Sequence, residues 1–180
     1  RRGETAVELD KLRQIGASMT TPPDGMTLNS KLLRIIKARG DMIAKGSGID
    51  WSTAEHLAFG SILMEGNPVR LSGQDSCRGT FSQRHAVFVD QVNEERYTPL
   101  NHLSEDQADF EVIDSPLSEA SVMGFEYGFS QVEPNALVMW EAQFGDFASG
   151  AQVVVDQFIS SGEAKWLRMN ALVLLLPHGY

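Results

Sequence analysis

The sequence predicts an α/β domain in which a largely parallel β-sheet carries helices on both faces. Four short apolar segments typical of strands alternate with segments of helical spacing, which is the pattern of a parallel sheet. The strand-like segments are residues 68–72, 110–113, 136–140 and 171–176. The last of them is apolar throughout, as expected for a strand that is covered on both faces.

We predict that residues 1–48 form a connecting segment and that residues 49–180 form the domain itself. Breaker residues at 21–25 and 46–48 interrupt this region. Between them, apolar residues from Leu28 onward recur at helical spacing.

Two helices are predicted between the later strands. One covers residues 117–129, with Ser115 as its N-cap and Pro116 at its first position, where a missing N–H costs nothing. The other covers residues 147–160. Alternation of these helices with the strands supports the parallel sheet.

Residues 74–108 show no clean period and many polar side chains, and we expect long loops there with a short strand near 86–89. Loops of this length in a compact domain tend to form sites. In a parallel sheet, sites lie at the carboxyl ends of the strands. The loops after Ile113, Trp140 and Leu176 are therefore the places to search.

The composition excludes several classes of protein. The 180 residues are 42% hydrophobic and 22% charged, with a net charge of −9, and this sign argues against nucleic-acid or membrane-surface binding. Cys77 is the one cysteine, so neither an intramolecular disulfide nor a zinc site with the four scattered histidines is expected. No apolar run approaches the roughly 20 residues of a membrane span, and no phosphate-binding glycine motif is present.

The two ends of the chain predict a piece of a longer polypeptide. The chain begins with Arg1 instead of methionine, and it stops at Tyr180, directly after an apolar strand-like run.

Three stretches stand out in the sequence. They run from Arg70 to His85, over Leu117-Ser-Glu119, and from Trp140 through Gln143-Phe-Gly-Asp-Phe147 to Gly162. Together they resemble the thiamine-diphosphate-dependent, decarboxylating component of 2-oxoglutarate dehydrogenase complexes, within the wider transketolase-like superfamily. The resemblance extends from Gly48 to Tyr180. It implies a transketolase-like pyrimidine-binding domain that binds thiamine diphosphate.

The resemblance implies a catalytic role for Glu119. In this chemistry a carboxyl group bonded to the pyrimidine N1′ nitrogen drives the cofactor's aminopyrimidine to its imino form, which then removes the thiazolium C2 proton. From position alone, a simpler explanation is favoured: acidic residues are stabilised in a first helical turn by the helix dipole. The family match favours the catalytic role.

Four further residues resemble cofactor-binding positions of the family. Phe147 would pack on the pyrimidine ring, with Phe144 as the second choice, and both could instead be core aromatics. Gln143 would lie close to the pyrimidine, or act as a turn-capping amide. Leu117 would form a hydrophobic wall, or belong to the core.

The charged side chains of the first stretch leave two alternatives open. Arg78, Arg84 and His85 could face an acidic substrate or a lipoyl partner, or they could anchor the loop. His178 follows the last strand, and we expect it behind the residues that touch the cofactor. The Gly-Asp-Gly element that binds Mg²⁺ and diphosphate in the family is absent, so the metal ligands are expected outside this chain.

The resemblance implies a parent enzyme that converts 2-oxoglutarate to CO₂ and a succinyl group, which passes to lipoate on a partner succinyltransferase. A homodimer is implied, in the bacterial cytoplasm or the mitochondrial matrix. Two alternatives stay open: a related 2-oxo-acid decarboxylase, such as one acting on 2-oxoadipate, and a non-catalytic dimerisation or scaffold module of the same fold.

Overall fold

The structure, a computed structural model, describes residues 3–178. Both ends of the sequence, including Arg1 and Tyr180, lie outside the described residues. The chain divides into two compact units. Within the described residues, the helical unit comprises 3–66 and 85–108, and the sheet unit comprises 67–84 and 109–178.

The helices and strands follow one another along the chain in a mixed order. They are α1 (Leu9–Thr20), α2 (Ser30–Lys45), α3 (Trp51–Met64), β1 (Val69–Gly73), β2 (Phe88–Val89), β3 (Arg96–Tyr97), a 3₁₀ turn (Pro99–Asn101), β4 (Phe110–Asp114), α4 (Glu119–Val132), β5 (Leu137–Glu141), a 3₁₀ helix (Gly145–Ala151), α5 (Gln152–Val154), a π-helix (Val155–Ile159), α6 (Gly162–Trp166) and β6 (Val173–Leu175). None of the helices in the described part of the chain is both long and apolar enough to cross a membrane.

The sheet unit is built on a four-stranded sheet in the order β4-β1-β5-β6, and every pairing in it is parallel. This arrangement confirms the predicted α/β class and the four predicted strands. The central strand β1 is buried along its whole length, because neighbouring strands and packed helices cover it. The carboxyl ends of β1 and β5 meet where Gly73 is in register with Glu141.

The start of helix α4 corrects the predicted boundary. The helix begins at Glu119 instead of 117, and Ser118 occupies the N-cap position instead of Ser115. Ser115 instead continues the pairing of β4 with β1, because its N–H donates to the Gly73 carbonyl at 2.8 Å, and its position before proline favours the same extended backbone. Pro116 precedes the helix and does not open it.

The predicted helix over 147–160 is also wrong as a single element. The segment is divided into the 3₁₀ helix, the short α5 and the π-helix, in which the Ser160 N–H bonds the Val155 carbonyl at 2.9 Å. Gly145 and Gly150 weaken regular helix at its start. A run of β-branched valines follows from Val153, and such residues are also poorer helix formers than alanine.

A buried arginine fixes α4 on the sheet. Arg70 on β1 donates from Nε and Nη2 to the Glu126 carboxylate on α4, at 2.7 and 2.9 Å, and it also bonds Glu111 on β4. Its guanidinium lies 4.6 Å from the centre of the Phe129 ring. Burial opposes the charge, but the hydrogen bonds to Glu126 and Glu111 outweigh it, so the pKa of Arg70 is raised.

In the helical unit, α1 packs against α2 and α3. The sequence pattern did not predict α1, which lies within the segment expected to be a connection. Ile15 of α1 is fully buried, and its side chain fills the space where a Cβ on Gly60 of α3 would stand, at 2.5 Å. The side chain of Asp50 caps α3 by accepting from the Thr53 N–H at 2.7 Å.

Candidate functional site

A small pocket lies in the sheet unit at the carboxyl ends of β1 and β5, beside the start of α4. Its lining residues are Gly73, Gln74, Leu117, Glu119, Val122, Trp140, Glu141 and Gln143. The fold therefore brings three of the five predicted site residues into one pocket. It lies where the parallel sheet predicts a site, at the carboxyl edge.

Close approach of two strand ends forms the floor of this pocket. A Cβ on Gly73 would stand only 2.1 Å from the backbone oxygen of Glu141 and 2.8 Å from Ser76 Oγ. Only glycine allows β1 to end this close to β5. The pocket thus depends on a residue without a side chain.

Glu119 is the first residue of α4 and is half-buried in the pocket. Its Oε2 lies over Gly150, at 3.2 Å from the position that a Cβ there would occupy. No residue within 3–178 forms a hydrogen bond or an ion pair with this carboxylate. Its oxygens are therefore available to an N–H donor of a ligand, or to a proton.

Gln143 follows β5 by two residues and lies half-buried at the pocket wall. Its Nε2 donates to Asp75 Oδ2 at 3.0 Å. This bond links the turn after β5 to residues 74–84, which we call the 74–84 loop.

Phe144 and Phe147 are exposed by 39% and 43%, so neither is a core aromatic. Their ring centres lie 5.9 Å apart in an edge-to-face arrangement. Phe81, from the 74–84 loop, adds a third exposed ring at 5.6 Å from Phe144. Sequence reasoning did not single out Phe81, and its position within the Arg70–His85 stretch was the available signal.

Leu117 precedes α4 and is 58% exposed while it lines the pocket. The alternative of a core leucine is therefore wrong. An exposed aliphatic side chain at a pocket entrance offers apolar surface to a ligand, and burying it on binding is favourable.

Arg84 anchors the loop and does not face a ligand. Its guanidinium forms two bonds with the Glu141 carboxylate, at 2.6 and 2.7 Å, and it also donates to the Ser76 carbonyl. Arg78 instead lies half-exposed and pairs with Asp75 at 3.3 Å. His85 belongs to the helical unit, where its backbone is left-handed with a φ of 47°.

Comparison with known protein families matches residues 47–180 to the transketolase pyrimidine-binding domain. The chain belongs to this family. The match covers the whole sheet unit and so includes every residue of the pocket.

Curated relatives of this pyrimidine-binding domain carry a common description. The 2-oxoglutarate dehydrogenase E1 components of Brucella canis, Brucella abortus and Brucella melitensis are each 58% identical to it over 180 residues. The aligned region is 100% of this chain and 18% of each relative. The chain thus spans less than a fifth of the length of these relatives.

One other residue that the sequence singles out, His178, can be placed in the pyrimidine-binding domain. His178 lies against Gly145, where a Cβ would stand 2.5 Å from its Nε2, and it does not line the pocket. The described residues contain no group of three or more His, Cys, Asp or Glu side chains placed to hold a metal ion.

Proposed function

We propose that this chain is the pyrimidine-binding part of a thiamine-diphosphate-dependent 2-oxoglutarate dehydrogenase E1 component. The whole enzyme would decarboxylate 2-oxoglutarate and pass the succinyl group to lipoate. The observation that carries the proposal is the carboxylate of Glu119, which lies in a pocket at the strand ends and is bonded by no residue of the described range 3–178. The Brucella relatives, 58% identical over the whole chain, support the choice of substrate.

The polar groups of the pocket suit an aminopyrimidine. Glu119 offers carboxylate oxygens, and Gln143 offers its Oε1, since its Nε2 is bound to Asp75. A ring with N–H donors complements such acceptors. The exposed ring of Phe147 provides a face on which a heteroaromatic ring can pack without using any hydrogen bond.

The cofactor, when bound, supplies the acidic carbon and the electron sink for decarboxylation. Glu119 would exchange a proton with the pyrimidine N1′ nitrogen. Leu117 and Phe147 would enclose the ring and keep water from this carboxylate, because both present apolar surface that is exposed in the free chain. Arg84 would act only on the loop, since Glu141 neutralises it.

The remaining parts of the site would come from outside this chain. We propose that Mg²⁺ and the diphosphate bind a separate domain, and that residues 49–180 form the pyrimidine half. A homodimer would complete the site, and large exposed hydrophobic side chains of the sheet unit support such an interface. They include Phe125, Val132, Trp166, Leu167 and Met169. A lipoyl-bearing succinyltransferase would be the other partner.

The decisive experiment replaces Glu119 by glutamine in the full-length enzyme. Glutamine keeps the size of the side chain but cannot exchange a proton at neutral pH. Hydrogen–deuterium exchange at C2 of the bound cofactor should slow by about 100- to 10,000-fold, the usual worth of a general acid–base group. Thermal unfolding should change little, because the Glu119 carboxylate has no partner among the described residues.

Glu163 provides the matched control. It is another first-turn glutamate, on α6, and it is exposed. If the helix dipole explains both residues, Glu119→Gln and Glu163→Gln will each cost up to about 1 kcal/mol of stability and leave C2 exchange unchanged. That result would reject the catalytic role of Glu119 and leave the scaffold alternative.

A further inference from the structure

We propose that Asp75 is a positioning residue of the pocket, which fixes the Gln143 amide so that the carbonyl oxygen, and not the NH₂ group, faces the ligand. This inference rests on the proposed function, because it concerns recognition of the cofactor's aminopyrimidine. It assigns to the 74–84 loop a role in selecting the ligand as well as in shaping the pocket.

The orientation of the amide follows from the chemistry of the pair. An ionised carboxylate can only accept hydrogen bonds, so Gln143 must present its NH₂ group to Asp75 Oδ2, at 3.0 Å. Its Oε1 then points elsewhere, and no residue in the described range 3–178 donates to it. Without Asp75, the amide could turn over and offer either group to a ligand.

The backbone of Asp75 indicates what its side chain contributes. Its φ is 55°, a left-handed conformation that is unfavourable for a residue with a Cβ. The Gly79 N–H binds its carbonyl, and Arg78 Nη2 lies 3.3 Å from Oδ2. Glycine would adopt this conformation without strain. The carboxylate is therefore the one thing that aspartate adds over glycine at this position.

The consequence is a part of the pocket wall, at Glu119 and Gln143, that presents acceptors. Glu119 and Gln143 Oε1 both accept, while the nearby cations are already paired, Arg84 with Glu141 and Arg78 with Asp75. Such a wall favours a pyrimidine with an exocyclic amino group over one with an oxo group at the same position. The oxo compound would place an acceptor against an acceptor, and unpaired polar groups of this kind give strong discrimination.

The test measures binding of two ligands to the full-length enzyme by calorimetry: thiamine diphosphate, and its analogue with an oxo group in place of the amino group. The wild type should prefer the amino form. In Asp75→Gly this preference should fall by about tenfold, the worth of one hydrogen bond, because Gln143 is free to turn over. The fold should survive, since glycine suits the left-handed backbone.

Three further variants make the result decisive. Arg78→Ala removes the other partner of Asp75 and should leave the preference unchanged. Asp75→Asn also tolerates the left-handed backbone and can accept or donate, so it too should lower the preference. In a Gln143→Ala background, Asp75→Gly should have no further effect, because Asp75 acts through Gln143.

An unchanged preference in Asp75→Gly or in Gln143→Ala would overturn the inference. The proposed function fails in a different way. If Glu119→Gln and Gln143→Ala both leave the binding of both ligands and C2 exchange unaltered, the pocket is not the cofactor site. If Glu119→Gln or Gln143→Ala alters ligand binding while Asp75→Gly behaves like the wild type, the site stands and the role of Asp75 is rejected.

Discussion

Arg84 and Glu141 form a two-bond ion pair beneath the pocket, with Nη1–Oε2 and Nη2–Oε1 distances of 2.6 and 2.7 Å. Only 2% of Arg84 and 4% of Glu141 is exposed. The pair joins the end of the 74–84 loop to the last residue of β5. Because Glu141 also lines the pocket, the geometry of the site depends on this pair.

Removing one partner of this pair should be costly. Glu141→Ala removes both carboxylate bonds from the buried Arg84 guanidinium, and we expect a loss of about 3–5 kcal/mol in the free energy of unfolding. Urea unfolding followed by tryptophan fluorescence measures it, since Trp140 is buried beside Glu141 in β5.

Asp10→Ala is the control for that measurement. It breaks the exposed Asp10–Arg13 pair on α1, at 3.2 Å, and should cost less than about 1 kcal/mol. Equal losses for Asp10→Ala and Glu141→Ala would contradict the structural role of the buried pair.

Gly73→Ala should destabilise the sheet unit. The new methyl group would lie 2.1 Å from the Glu141 backbone oxygen, and neither atom can rotate away, because the backbone fixes the position of both. We expect a loss of about 1–3 kcal/mol or more, as for other overpacked sites, measured by the same unfolding experiment. Gly40→Ala, inside α2 with no atom near the added methyl group, should instead stabilise by about 1 kcal/mol. A tolerated Gly73→Ala would argue against the close approach of β1 and β5.

Alanine substitutions of the two phenylalanines in the turn after β5 should affect cofactor binding and thermal stability to different extents. Phe144 lies between Phe81 and Phe147, so Phe144→Ala removes two ring contacts and should lower the melting temperature more. Phe147→Ala should weaken cofactor binding more, by on the order of 1 kcal/mol beyond the lost area. Calorimetric titration and thermal melting of both full-length variants test this. Equal effects in both measurements would assign the two rings to a shared structural role.

Asp90 in the helical unit should contribute to stability in a pH-dependent way. Its carboxylate accepts from the backbone N–H groups of Val92 and Thr27, and these bonds lower its pKa below the usual value of 3.8. A lowered folded-state pKa means that the contribution is complete above the unfolded pKa and is lost as pH falls through the folded one.

Asp90→Asn should therefore be less stable than the wild type at pH 7. The difference should shrink only when the pH falls below about 3.8, where Asp90 becomes protonated in the unfolded and then in the folded chain. Thermal unfolding from pH 2 to pH 7 measures it. A difference that is constant over this range would show that the carboxylate charge has no part in it.

Much of this protein could be predicted from local sequence patterns. Short apolar runs separated by breakers specify the four parallel strands, because a covered strand needs apolar side chains on both faces. The parallel order then places the site at the carboxyl edge, and the Leu117-Ser-Glu119 and Gln143-to-Phe147 stretches follow strands there. The resemblance carried by these stretches led to Glu119, Gln143 and Leu117, which the structure brings into one pocket.

Tertiary contacts decided the rest. The Ser115 N–H bonds the Gly73 carbonyl at the end of β1, a partner more than 40 residues away that no local pattern contains, and α4 begins only at Glu119. Arg84 could not be assigned from sequence, since only the folded chain places it against Glu141. The orientation of Gln143 likewise depends on Asp75, 68 residues earlier. Local patterns record which residues must be buried, whereas hydrogen-bond partners distant in sequence are chosen only when the strands come together.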